Sequence, residues 1–125
     1  MTPTEIIEIV DRITPNAHAT ADKLRWLGQL DTQIRTEAAL LLRVPPEQVN
    51  GLLCASSVDA PGQLLVGEPR AEELYGSYLR ACMAWADEED QRYDRFITRF
   101  NDAYNRFMGS VLRGAARLPK RRLRF

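Results

Sequence analysis

The sequence predicts an all-α fold: a small bundle of about four helices, with one long irregular loop and an extended basic C-terminal arm. Three observations predict it. Apolar residues recur every three or four positions through most of the chain. Helix-starting and helix-stopping residues stand at the ends of those stretches. Positive charge gathers at one end: from Arg106 onward there are seven basic residues and no acidic one, although the whole chain has 17 of each. Residues 1–112 are read as a helical domain and residues 113–125 as the arm.

The first helix is "TPTEIIEIVDRI". Thr2 is placed to cap it, Pro3 suits the first helical position, and Glu5 completes a capping box. Ile6, Val10 and Ile13 follow at helical spacing, and Thr14-Pro15-Asn16 stops the run. A second helix, from about Ala21 to Leu42 with Thr20 as its cap, carries a stripe of Leu24, Leu27, Leu30, Ile34, Ala38 and Leu41. Pro45-Pro46 ends it.

Residues 43–69 are broken by prolines and glycines and keep no helical period. Two short apolar runs, "GLLC" and "QLLV", suit extended chain. A loop of this length in a small domain is generally functional or mobile, and it reads as a strap packing on a neighbour. From Pro69 the helical signal resumes. Leu74, Tyr78, Ala81 and Trp85 form one stripe; Tyr93, Phe96, Phe100, Tyr104, Phe107 and Val111 form the next. Between them lies the acidic run Asp87-Glu88-Glu89-Asp90. The pattern allows one helix of over forty residues, or two with the acidic run opening the second, where its charge complements the macrodipole.

Composition narrows the function classes. An apolar fraction of 45% and a charged fraction of 27% are those of a soluble globular domain. No apolar run approaches the ~18 residues of a membrane span, and the acidic, amphipathic start is unlike a signal peptide. Cys54 and Cys82 are far apart, and His18 is the sole histidine. A zinc site, which needs about four such ligands, is therefore not expected, and neither is a structural disulfide; a reducing compartment fits. Ser56 and Ser57 lack a nucleophile elbow, and the glycines form no phosphate-binding loop. The chain reads as a non-enzyme with no cofactor.

Four patterns remain. The run Asp87 to Asp90 reads first as a solvated helix start, with Glu88 and Arg92 at supportive (i, i+4) spacing. The aromatic series on the last stripe resembles a stacking platform for single strands, but at helical spacing it reads as core. Trp26 flanks the second helix's stripe, either sealing the core edge or anchoring a subunit contact. The arm interleaves Arg113, Arg117, Lys120, Arg121, Arg122 and Arg124 with Leu118, Leu123 and Phe125. That mixture suits a segment that orders on a partner, its arginines pairing with carboxylates or phosphates.

The stretches "PNAHATADKLRWLGQLDTQI", "LLVGEPRAEELYGSYLRACMAWADEEDQRY" and "RFNDAYNRF" together resemble the small head–tail connector (adaptor) proteins of tailed bacteriophages and prophages. "PNAHATADKLRWLGQLDTQI" is similar to their "PN…KLRWLxxLE" opening. "LLVGEPRAEELYGSYLRACMAWADEEDQRY" resembles "LLVPxPYDELYxxYLxAxIDxANGExxRY", and "RFNDAYNRF" resembles "xFNxAYxxF". The likeness spans roughly residues 13–108 in order and spacing. Asp87-Glu88-Glu89 stands where relatives have "NGE", a helix break, and Glu68-Pro69-Arg70 replaces their proline–tyrosine step. The resemblance implies a virion protein of the neck, made in the bacterial host's cytoplasm. Such proteins form a homo-oligomeric, usually dodecameric, ring under the portal protein. The ring extends the DNA channel and presents a surface to the tail or stopper protein, with neither active site nor cofactor.

Charge then assigns expected roles. Residues 1–105 hold ten basic against seventeen acidic side chains. An acidic body, Asp87, Glu88, Glu89 and Asp90 included, suits a channel wall or outer surface that lets double-stranded DNA slide past without specific binding. The basic arm, Arg113 and Arg117 to Phe125, is expected to grip the portal. Trp26 and the strap residues Leu64, Leu65 and Val66 are expected at subunit contacts. The rival readings are a nucleic-acid-binding accessory protein whose arm meets phosphates, and a helical regulator that forms no ring.

Overall fold

The computed structural model describes residues 2–49, 64–66 and 70–116. Within them the protein is all-helical: α1 spans Pro3–Ile13, α2 Thr20–Leu42, α3 Arg70–Ala86 and α4 Asp90–Ala116, with a 3₁₀ turn at Pro46–Gln48. The four-helix expectation holds, and the pattern from Pro69 onward resolves into two helices.

α1 starts as its sequence dictates. The Thr2 hydroxyl accepts the Glu5 backbone N–H at 3.2 Å, and the Glu5 carboxylate accepts the Thr2 N–H at 3.2 Å. Each satisfies a donor that the first turn would leave bare. Ile6, Ile7 and Val10 are buried, but Ile13 is 62% exposed, because the helix runs past its neighbours before Pro15 stops it.

α2 begins one residue earlier than expected: Ala19, not Thr20, occupies the cap and gives no side-chain bond. Leu27, Leu30, Ile34 and Ala38 are buried as the stripe required, whereas Leu24 and Leu41 lie at the surface and Leu42 takes the inner position. The buried row advances by fours at its end, where Ala38 and Ala39 pack on Val49 beyond the 3₁₀ turn. Arg43 closes the helix in the left-handed conformation (φ 56°), which Pro45 then seals.

α3 and α4 pack on each other more extensively than any other pair, as expected of consecutive helices joined by a three-residue link. One main core collects Ile6 and Val10 of α1, Leu27, Leu30 and Ile34 of α2, Leu74, Tyr75 and Leu79 of α3, and Phe100, Phe107 and Val111 of α4. The aromatic series is thus largely core. Trp85 is a correction: expected on the inner stripe of α3, it is 72% exposed, because the helix ends one residue later and its inner face there is Met83 and Ala84.

Leu64, Leu65 and Val66 are also corrected. They are buried in this chain's own core and offer no side-chain surface to a neighbour. Their backbone is held by two side chains. The Leu65 N–H donates to both oxygens of Asp31 (3.2 and 3.3 Å), and the Val66 N–H donates to the Tyr75 hydroxyl (3.0 Å). Irregular chain can enter a core only with such partners for its amides. Of the rest of the strap, residues 50–63 and 67–69 lie outside the described residues.

Candidate functional site

The acidic run forms the tip of the α3–α4 hairpin. Its backbone closes α3 as a Schellman motif: the Glu89 N–H donates to the Ala84 carbonyl (2.9 Å) and the Glu88 N–H to the Trp85 carbonyl (3.2 Å). This closure requires a left-handed residue, and Glu88 supplies it at φ 59°. The run is therefore not spread around a helix. Asp87, Glu88 and Glu89 form the link, and only Asp90 is helical, at the N-terminus of α4, where the macrodipole favours it.

The four carboxylates differ in their partners. Asp87 meets His18 Nε2 at 3.1 Å. Glu89 pairs with Arg92 at 2.9 Å, so the expected Glu88–Arg92 pairing gives way to its (i, i+3) neighbour. Among the described residues neither Glu88 nor Asp90 has an ionic partner, and both are exposed. These two carboxylates keep the tip negative although Glu89 is paired with Arg92.

His18 fixes that tip to the body. Its backbone N–H donates to Asn16 Oδ1 (3.1 Å), and Asn16 Nδ2 donates to Asp11 Oδ1 (2.9 Å). Asp11 also accepts from Lys23 Nζ at 2.8 Å, and Lys23 is only 3% exposed. Partial burial disfavours the Asp11 anion, but the bonds from Lys23 and Asn16 and the lysine's charge outweigh it, and its pKa falls below the usual carboxylate value. A lone histidine thus acts as a clip from the α1–α2 connection to the α3–α4 turn.

Beside the clip, the His18 ring stands edge-on to Trp26 with centroids 5.8 Å apart. Trp26, Tyr78, Cys82, Trp85, Tyr93 and Ile97 line a pocket of about 190 Å³ between α2, α3 and α4. Burial pushes the Cys82 thiol up to about 11, and burial together with neighbouring Cys82 and Tyr93 pushes the Tyr78 phenol up to about 12. Both groups are neutral at physiological pH, so the pocket is aromatic and uncharged. Drug-sized ligand pockets run to about 300–1,000 Å³, so this one suits one or two inserted side chains.

No protein-family model, curated protein or solved structure matches this chain. Its site is described by its own geometry.

A second, wider hollow of about 480 Å³ lies between α1, α3 and α4, with Ile9 and Ile13 on one wall and Arg80 and Arg99 on the other. Burial and the nearby Arg99 lower the Arg80 pKa, and its Nε is buried without a partner. The guanidinium lies 5.9 Å from the Phe96 ring centroid, within cation–π range. Among the described residues no group of three potential metal ligands comes together, and no helix is long and apolar enough to cross a membrane.

The structure brings together Asp87, Glu88, Glu89, Asp90 and Trp26, which the sequence had singled out separately. It sets Leu64, Leu65 and Val66 apart from them, in the core. Arg113 is exposed in the last turns of α4, which runs through the expected domain boundary to Ala116. Arg117, Leu118, Lys120, Arg121, Arg122, Leu123, Arg124 and Phe125 lie outside the described residues. Sequence reasoning missed His18 and Trp85 as parts of the site. The signal for Trp85 was its place two residues before the acidic run, where a helix end frees an inner-stripe residue.

Proposed function

We propose that this protein is a head–tail adaptor of a tailed bacteriophage or prophage: a ring of identical subunits between the portal and the tail or stopper protein, through which DNA passes. One observation carries the reading beyond sequence likeness. Where the resembling proteins have Asn-Gly-Glu, this chain has Asp87-Glu88-Glu89. The backbone at Glu88 nevertheless takes the left-handed conformation that glycine favours, and a helix ends there. The hairpin supports the resemblance at the position where the sequences differ.

A closed ring needs one face of each subunit to meet a different face of the next. The domain has such unlike faces: the acidic hairpin tip, and the hollow where Ile9 and Ile13 face Glu72, Glu73, Arg80 and Arg99, whose formal charges cancel. An excess of carboxylates on the body also suits a passage for DNA, since a cation-lined wall would hold phosphates in a salt-dependent grip.

The test is to co-express the full chain with the portal protein of the phage or prophage that encodes it, then weigh and image the product. The expected result is a ring coaxial with the portal, dodecameric by the same resemblance. A chain that stays off the portal while binding duplex DNA with a steep salt dependence would instead establish the nucleic-acid-binding alternative.

A further inference from the structure

We infer that the aromatic pocket at the hairpin tip receives the basic segment of a second copy of this chain, Leu123 and Phe125 entering the pocket and Arg122 and Arg124 meeting the carboxylates beside it. The inference rests on the self-association that the proposed ring requires, but on neither the portal nor DNA.

Charge complementarity selects the occupant. The segment 117–125 has five basic residues and no acidic one. Glu88 and Asp90, exposed and without ionic partners among the described residues, stand within a few residues of Trp85 and Tyr93 on the pocket wall. Bound in extended form, the segment alternates with a period of two. Leu123 and Phe125 then share one side, and Arg122 and Arg124 the other. Guanidinium–carboxylate pairs at the rim of an aromatic pocket are a common anchor at protein interfaces. The 72% exposure of Trp85 leaves its ring available to cover an inserted side chain.

Reach favours a neighbour's pocket over the chain's own. α4 is 27 residues long, so about 39 Å of helix separates Asp90 from Ala116. Arg124 lies eight residues beyond Ala116, which even drawn out straight covers at most about 26–29 Å. The remaining gap of about 10 Å is what an arginine and a glutamate side chain span together. Phe125, nine residues beyond Ala116, comes level with Tyr93 and Ile97 only when the chain is drawn out straight. The segment therefore meets its own tip only by doubling back along α4 fully extended, a path a neighbour's tip in a ring does not demand. Donated in one direction around a ring, it closes the ring by a heterologous contact, each subunit giving one segment and receiving one. The portal, expected from sequence as the arm's target, is not needed to satisfy it.

The test uses the full chain with p-benzoylphenylalanine in place of Phe125, at its highest soluble concentration, as an equal mixture of isotope-labelled and unlabelled protein. The expected product is a cross-link from position 125 to the stretch Tyr78–Ile97 or to Trp26, with peptides of mixed isotopic origin. Trp85→Ala and Glu88→Lys should each cut its yield at least about ten-fold. Arg122→Glu with Arg124→Glu should recover it in the Glu88→Lys background, with helical circular dichroism unchanged throughout. Cross-links within single-isotope chains, attachment elsewhere, transfer to added portal protein, or no product would each overturn the inference. A ring on the portal with an empty pocket would sink this inference alone; exchanged segments without portal binding would sink only the adaptor reading.

Discussion

The Tyr75 hydroxyl donates to Asp31 Oδ1 at 2.6 Å, joining α3 to α2 across 44 residues of sequence. Tyr75 is fully buried, and the same pair holds the backbone of Leu65 and Val66. Three segments distant in sequence thus share one polar knot inside an apolar core. Removing the hydroxyl in Tyr75→Phe leaves the buried Val66 N–H without its acceptor. The expected loss is about 1–3 kcal/mol of unfolding free energy, read by urea denaturation.

Asp31 gives that knot a pH dependence. Burial raises its pKa, and the bonds from Tyr75 and Leu65 and the nearby Arg35 only partly offset this. A carboxyl with a raised folded value lends stability below its unfolded pKa and loses it as pH rises through the folded value. In Asp31→Asn the amide oxygen can still accept from Tyr75 and Leu65, both of which bond to Oδ1. The variant's stability relative to wild type should therefore increase as pH rises through the Asp31 titration, and the gap should close in acid. Thermal melts across pH check this.

Asp11 titrates with the opposite sign. Its folded pKa is lowered, so its contribution is present above the unfolded carboxylate value and disappears as pH falls through the folded one. Asp11→Ala also strands the buried Lys23 ammonium. Because Asp11 is itself partly exposed, a loss of about 1–3 kcal/mol at neutral pH is expected, below the range for fully buried pairs. The difference from wild type should narrow in acid, leaving only the bonds that a neutral carboxyl still accepts from Lys23 and Asn16.

Glu88 and Gly28 are mismatched to their backbones in opposite ways. Glu88 holds φ 59°, where glycine carries no Cβ penalty, so Glu88→Gly should raise stability by about 0.5–1 kcal/mol. Gly28 lies on the exposed face of α2, and a Cβ there would meet nothing within 4 Å. Gly28→Ala should gain about 0.5–1 kcal/mol. Chemical denaturation of the two single variants and the double checks both values and their additivity.

Trp85 separates folding from docking. Being mostly exposed, its replacement by alanine should change stability by no more than about 0.5 kcal/mol. A large loss of stability in Trp85→Ala would mean that the indole packs on its own chain.

Much of this architecture was legible in sequence because breakers and caps act locally. Thr2, Pro3 and Glu5 define the start of α1 from four adjacent residues, and Pro45 and Pro46 stop α2 without reference to anything distant. The split between α3 and α4 was not decidable, since no glycine or proline marks it; a glutamate performs the turn at a conformational cost that tertiary packing covers. Periodicity placed the inner faces within a residue, but it misjudged Ile13, Leu24, Leu41 and Trp85. Those residues sit near helix ends, where a neighbour no longer covers the stripe. The site was less readable than the fold. The partnership of His18 with Asp87 joins residues 69 apart, and no local pattern announces it.

The clasp on residues 64–66 also divides the long connection between α2 and α3 into two separately tethered spans. Closure entropy grows only with the logarithm of loop length, about 0.6 kcal/mol per doubling. Losing the clasp would merge the two spans into one at a change in closure entropy of under about 1 kcal/mol, so its stabilising effect comes from the paired amides of Leu65 and Val66 and not from shortening the connection.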